Sequence, residues 1–176
     1  MARRPVQNPF VLLTRDIPVE GLVRDLDLAE LAPRVFAEST EAKPGPDLRV
    51  QITASRNDSD VIVSGELSGT ADMACSRCLK PVTVKITGEF GVTFVPPGRE
   101  AKEDDLDVVP YKDEEIDLEP VLREELLLAL PVAPICADDC RGLCPRCGHD
   151  LNQGACECPP EPKDDRWAAL RHMKLQ

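Results

Sequence analysis

Six of the eight cysteines in this 176-residue chain lie between Cys136 and Cys158, spaced Cys136-x3-Cys140-x3-Cys144-x2-Cys147-x8-Cys156-x-Cys158. The other two form a separate Cys-x2-Cys, Cys75-Ser-Arg-Cys78. Isolated core thiols do not cluster in this way. Disulfides would account for the count in an oxidising compartment. However, the N-terminal sequence MARRPVQNPFVLLTRD offers only Phe10 to Leu13 as an apolar stretch, too short for the core of a secretory signal. A cytoplasmic location with reduced thiols is therefore expected, and metal binding is the reading that uses all the cysteines.

Tetrahedral zinc takes four soft ligands at about 2.3 Å, and Cys-x2-Cys supplies two of them from one tight turn. In Cys144-Pro-Arg-Cys147-Gly148 the proline presets the turn. The glycine after the second cysteine can take a positive φ, which frees main-chain N–H groups to point at sulfur. Asn152 and Gly154 then provide the turn chemistry to bring Cys156 and Cys158 back. Cys144, Cys147, Cys156 and Cys158 are thus the first choice for one site. Cys136 and Cys140 remain, and with Cys75 and Cys78 they would complete a second four-thiolate site stapling two parts of the chain together. The competing grouping has one zinc chosen among the six clustered cysteines, with Cys75 and Cys78 as a free thiol pair. His149 is a conceivable replacement ligand, but beside Gly148 it reads as an ordinary surface histidine. Either way the expected cofactor is structural Zn2+, one ion or two.

Catalytic chemistry is not expected. A catalytic zinc keeps an open position and a nearby acid or base, whereas four-cysteine sites are closed. The chain has no HExxH, no deaminase HxE with PCxxC, no Walker A loop and no GxGxxG. A thioredoxin-type role for Cys75 and Cys78 is disfavoured, because this pair follows a strand into a hairpin rather than opening a helix. The protein is read as a non-enzyme with no small-molecule substrate.

The strongest periodic signal lies between residues 47 and 95, which read as an antiparallel meander curling toward a barrel. Val50, Ile52 and Ala54 alternate with polar residues, as do Val61, Val63, Leu67, Ala71 and Met73 on a second strand. On that strand Gly65 and Gly69 suggest bulges or close approach. Val82, Val84, Ile86, Phe90, Val92 and Phe94 share one face of a third strand, so Cys75 and Cys78 fall at a hairpin tip. Earlier in the chain, a strand over Pro9 to Ile17, a short helix around Leu26 to Phe36 and a loop over Glu38 to Asp47 are expected. A helix over residues 117–130 follows an acidic linker, 96–115. Asp117 is its expected N-cap, Pro120 sits in its first turn, and the run Leu126 to Leu130 predicts burial all round. A second short helix, Asp165 to Lys174, carries Trp167. The fold class is thus α+β: an antiparallel meander or partly closed barrel packed with a buried helix, then a C-terminal zinc-knuckle segment and short helix. The division expected is a β-rich core domain over 1–131 and a cysteine-rich segment with a C-terminal helix over 132–176. No run is long and apolar enough to span a bilayer, so no membrane partner is expected.

Charge limits the partners. The net charge is −11, whereas proteins that coat nucleic acid are usually basic over at least one domain. The acid is uneven, with ten acidic and three basic residues over 99–119. Local contact with RNA or an acidic partner would have to use Arg141, Arg146, Arg166, Arg171 and Lys174. Arg77 and Arg146 occupy the same place in the two Cys-x-Arg-Cys turns. They read first as offsets to thiolate charge and second as contact residues.

The segments CSRCL, EIDLEPVLREELLLALPVAPIC and CRGLCPRCGHDLNQGACEC followed by DDRWAALRHMK resemble the YceD family, the large ribosomal RNA subunit accumulation proteins of bacteria and plastids. GLCPxCGxxLN followed by CxC is the most specific part of the match. The resemblance implies a non-enzymatic factor that supports synthesis, processing or stability of 23S rRNA in ribosome biogenesis. Its partner would be large-subunit rRNA or a basic ribosomal or assembly protein. A zinc-stapled protein–protein adaptor unrelated to the ribosome is the alternative.

Overall fold

The computed structural model describes residues 8–39, 41–99 and 107–159. Its centre is the expected meander. Strands β4 (Arg49–Asn57), β5 (Asp60–Ala74) and β6 (Pro81–Val95) pair antiparallel in chain order. Alternation decides which side is buried: Val50, Ile52, Ala54, Val61, Val63, Leu67, Ala71, Ile86, Val92 and Phe94 all face the core. Register runs without interruption from Val61 opposite Phe94 to Ala74 opposite Pro81. Gly65 and Gly69 therefore make no bulge, and both serve close approach. A Cβ at Gly65 would sit 2.4 Å from the ring of its cross-strand partner Phe90. One at Gly69 (φ +153°) would sit 2.6 Å from Leu48 Cα.

Around this meander the chain adds short pieces. β2 (Leu22–Asp27) pairs antiparallel with β4, and β3 (Lys43–Pro44) pairs with the far end of β5. β7 (Val108–Pro110) runs parallel to β6, and a separate two-stranded sheet joins β1 (Val11–Leu13) to β8 (Glu115–Asp117). Helices α1 (Leu31–Ser39) and α2 (Glu119–Leu128) complete an α+β fold. The main sheet runs β2-β4-β5-β6-β7 and stays open, so the expected curl toward a barrel does not close. Its apolar face is covered by other elements instead. Phe10 and Leu12 near β1, Leu31, Val35 and Phe36 from α1, and Leu118, Leu122 and Leu126 at α2 join the strand residues in one buried cluster. With that face already covered, edge-to-edge closure has no further apolar surface to bury.

Several local expectations shift. Leu26 lies in β2, not in a helix. The Asp27 carboxylate accepts the Ala29 N–H at 2.8 Å, turning the chain out of β2 just before α1 starts at Leu31. The stretch from Pro9 to Ile17 is a three-residue strand followed by a 3-10 turn, Thr14–Asp16. The acidic segment is not all linker, since β7 and the start of β8 fall inside it; residues 100–106 lie outside the described residues. At α2 the Asp117 carboxylate accepts the Glu119 N–H at 3.0 Å and Pro120 sits in the first turn. Burial all round is corrected: Leu122 and Leu126 are buried, but Leu128 is 77% exposed. Two residues turn a helix by about 200°, so Leu128 must face away from Leu126. The expected helix Asp165 to Lys174, with Trp167, lies outside the described residues. Among the described residues no helix is long and apolar enough to cross a membrane.

Candidate metal centres

The long hairpin β5–β6 presents Cys75-Ser-Arg-Cys78 at its tip, immediately after Ala74. The tip shares its backbone design with Cys144-Pro-Arg-Cys147. In the first turn the Leu79 N–H donates to the Cys75 carbonyl at 2.9 Å, and the Cys75 N–H to the Lys80 carbonyl at 2.8 Å. In the second, Gly148 donates to Cys144 at 2.9 Å and Cys144 to His149 at 2.8 Å. The residue after the second cysteine is left-handed in both, Leu79 at φ +61° and Gly148 at φ +72°. This closes the turn so that two main-chain N–H groups reach the first sulfur. Those of Cys78 and Arg77 lower the Cys75 thiol to about 6, and those of Cys147 and Arg146 lower Cys144 to about 6.

Each turn meets a second pair of cysteines. The sulfurs of Cys75, Cys78, Cys136 and Cys140 all lie within 4.8 Å of one another, and so do those of Cys144, Cys147, Cys156 and Cys158. Cys75 and Cys78 are therefore no free-standing pair. Across the first group, Cys75 Sγ is 3.9 Å from Cys140 Sγ and Cys78 Sγ is 3.6 Å from Cys136 Sγ. Four sulfurs about 2.3 Å from a central tetrahedral ion are spaced about 3.8 Å apart, so this donor set fits a tetrahedral, thiophilic metal. Electrostatics point the same way. Cys136 is pushed up to about 12, chiefly by the Cys140 and Cys78 thiols. Cys158 is likewise pushed up to about 12, chiefly by Cys147, with burial adding to it. Four thiolates this close are tolerated only around a cation. Both tetrads can hold a metal ion.

The tetrads differ in setting. Cys75, Cys78 and Cys140 are buried with Val82, Ile135 and Leu143 packed against them. In the other group Cys144 is buried, Cys147 is exposed, and Cys156 and Cys158 are half-buried. The first tetrad clamps the hairpin tip to the C-terminal segment. The Ser76 N–H donates to the Pro134 carbonyl at 2.7 Å and Leu143 N–H to the Arg77 carbonyl at 3.0 Å. Arg77 Nη1 is bonded to the carbonyls of Asp138 and Cys140 at 3.3 and 3.0 Å, so this arginine fastens the clamp. Arg141 and Arg146 are exposed, and their side chains make no hydrogen bond or ion pair among the described residues. Arg166, Arg171 and Lys174 lie outside those residues. His149 belongs to neither tetrad.

Three residues around the clamp escaped the sequence reading. Lys80 Nζ meets Asp150 Oδ2 at 2.6 Å. That contact, with the Asn152 N–H, holds the Asp150 carboxyl down to about 2. Asn152 Oδ1 accepts the Arg141 N–H at 2.8 Å, while its Nδ2 donates to Asp150 Oδ1 at 2.8 Å and to Cys140 Sγ at 3.6 Å. In the sequence Asn152 reads only as a turn residue. An Asp-x-Asn placed between the two halves of a cysteine site was the available signal.

The family model for the large ribosomal RNA subunit accumulation protein YceD matches residues 63–174, from β5 through both Cys-x-Arg-Cys turns. The chain belongs to the YceD family. An uncharacterized protein of Mycobacterium tuberculosis is 35% identical over 130 residues, covering 72% of this chain and 60% of its own length. An uncharacterized protein of Mycobacterium leprae is 33% identical over 176 residues, covering 98% of this chain and 74% of its own. The Arabidopsis thaliana large ribosomal RNA subunit accumulation protein YCED homolog 1, chloroplastic, is 23% identical over 81% of this chain and 53% of its own. The chain thus spans about 60% of the length of the M. tuberculosis relative. No solved structure matches it. Within this YceD chain, strands β1 to β4 and helix α1 precede the matched segment, and both metal-competent tetrads draw all their ligands from inside it.

Proposed function

We propose that this protein is a non-enzymatic factor of large ribosomal subunit biogenesis, supporting the synthesis, processing or stability of 23S rRNA in the cytoplasm. The observation that carries the reading is the family match over residues 63–174, whose plant relatives are named for large ribosomal RNA subunit accumulation. Each tetrad holds one structural zinc ion. The donors suit that role: four sulfurs leave no open position for a substrate or an activated water. Zinc supplies architecture here. The chain's own residues do the rest, with Arg77 tying the hairpin tip to the loop at Asp138 and Lys80 neutralising Asp150. Residues 1–131 form the β-rich body, and 132–176 form the zinc-bound unit attached to it.

With a net charge of −11, contact with RNA is local. It runs through exposed Arg141 and Arg146 and the basic tail residues Arg166, Arg171 and Lys174. A basic ribosomal or assembly protein docking on the acidic segment 99–119 gives an indirect route to the same outcome. Arg77, bonded to two carbonyls, is the least suited of the basic residues to this contact. Deleting the gene tests the reading. Mature 23S rRNA should fall relative to 16S, and large subunits should be depleted on a sedimentation profile. Normal 23S levels with a normal profile would refute it, and would favour an adaptor whose partner lies outside the ribosome.

A further inference from the structure

The two tetrads sit on interleaved chain. Cys140 of the first and Cys144 of the second are separated by Arg141, Gly142 and Leu143; Gly142 and Leu143 lie against the first tetrad's turn, and Arg141 and Gly142 are bonded to the loop that closes the second. Leu143 N–H donates to Arg77 O at 3.0 Å, between Cys75 and Cys78. A Cβ on Gly142 would lie 3.0 Å from that same oxygen, so this strand of chain lies directly against the first turn. Gly142 O in turn accepts the Leu151 N–H at 2.9 Å, and Arg141 N–H donates to Asn152 Oδ1. Leu151 and Asn152 both belong to the loop between Cys147 and Cys156.

That loop reaches back further. Asn152 Nδ2 donates to Cys140 Sγ, a sulfur of the other tetrad. Asp150, which fixes Asn152 through both its main-chain N–H and its Nδ2, is ion-paired with Lys80, two residues beyond Cys78. A loop whose ends are ligands of the second tetrad therefore supplies an outer hydrogen bond to the first. Such partners orient metal-bound thiolates and stabilise their charge.

We propose that the Asp150–Asn152 loop couples the two tetrads, so that the two metal ions bind and leave with positive cooperativity. Metal in the second tetrad closes residues 144–158 and brings Asn152 to Cys140. The ordering needed to assemble the first tetrad is then already in place. Linkage makes the effect reciprocal: metal in the first tetrad holds Lys80 and Cys140 where Asp150 and Asn152 need them. The chemical class of the ligand is a divalent, thiophilic, tetrahedral cation, and the inference rests on the metal reading of the tetrads given above.

The test withdraws zinc stepwise from the full-length, zinc-loaded protein with a graded chelator. Native mass spectrometry then counts chains carrying two, one and no ions. Independent sites, whether equal or unequal in affinity, must pass through a point where at least about half of the chains carry one ion, whereas about tenfold coupling of equal sites lowers that maximum to about a quarter. Unequal intrinsic affinities raise this maximum even when the sites are coupled, so the coupling is read from the change on mutation. Asn152→Ala should raise the one-ion maximum about twofold over wild type if the sites are nearly equal, and to at least half in any case, while still loading two ions in excess zinc. Asp150→Asn should do the same to a lesser degree, since it keeps the amide–sulfur bond but loosens its anchor. An Asn152→Ala variant whose one-ion maximum equals or falls below that of wild type would overturn the coupling. A protein that takes up no zinc at all would overturn the metal reading itself, and the two failures are distinguished by the count in excess zinc.

Discussion

Gly142 and Gly148 form a matched pair for measuring what the clamp between hairpin tip and C-terminal segment contributes. Their φ angles are almost identical, +74° and +72°, but their surroundings differ. A Cβ at Gly148 would meet nothing within 4 Å, whereas one at Gly142 would lie 3.0 Å from Arg77 O and 3.4 Å from Arg77 Cβ. Placing alanine in the left-handed region costs ~1–2 kcal/mol. The smaller conformational freedom of alanine in the unfolded chain offsets ~0.4–1 kcal/mol of that. Gly148→Ala should therefore destabilise by about 1 kcal/mol. Gly142→Ala adds crowding against the oxygen that accepts the Leu143 N–H. Relieving it moves Arg77, whose guanidinium holds the Asp138 and Cys140 carbonyls, or moves the segment carrying Cys140. Weakening one or two such bonds, at ~1 kcal/mol each, brings the total to about 2–3 kcal/mol. For a chain of this size each kcal/mol moves Tm by about 2–4 °C. The measurement is thermal unfolding of both zinc-loaded variants at one fixed excess of zinc, since bound metal shifts Tm by mass action. A drop of about 2–4 °C for Gly148→Ala and about 4–12 °C for Gly142→Ala is expected. Equal drops would refute the argument that Arg77 and Gly142 form the junction.

Two further outcomes bear on the sites and the core. Cys78→Ser and Cys147→Ser should each reduce bound zinc from two ions to one by elemental analysis, with Cys78→Ser lowering Tm further because three of its tetrad's four cysteines are buried and the group joins distant segments; retention of two ions in either would contradict the grouping. Leu126→Ala, at a fully buried α2 position, should cost ~2–5 kcal/mol in denaturant unfolding, while Leu128→Ala on the exposed face should stay within ~0.5 kcal/mol, and similar costs at both would show that α2 is buried all round.

What could be read in advance divides by range. The alternation of Val50 to Ala54, Val61 to Ala71 and Val82 to Phe94 announced three strands and their buried faces, because side chains alternate across any strand whatever its neighbours. Cys144-Pro-Arg-Cys147-Gly148 announced its turn for a similar reason, since each hydrogen bond that shapes it spans no more than five residues. The errors came where a short apolar run had to be assigned without its surroundings. Leu26 fits a helix or a strand equally well until its pairing with Val50 is known. Leu128 looked buried from composition, and only the rotation of α2 against the core put it outside. The parallel strand β7, three residues in acidic sequence, is too short to show a period, and its pairing with β6 and the packing of Val109 against the core exist only in the tertiary structure.

The cysteines show the same division within one site. Sequence by itself determined that the chain carries two Cys-x-Arg-Cys motifs, and that Cys144-Pro-Arg-Cys147-Gly148 is a turn able to point main-chain N–H groups at sulfur. It left open which sulfurs complete each group. Only the tertiary structure decided that Cys75 and Cys78 meet Cys136 and Cys140, some sixty residues further along, and that Lys80, Asp150 and Asn152 bridge one tetrad to the other. The reason is physical. A turn is fixed by bonds to near neighbours, but bringing distant sulfurs together requires loop closure, and the long-range register of β5 against β6 and the packing of the C-terminal segment on the hairpin tip set where that closure falls.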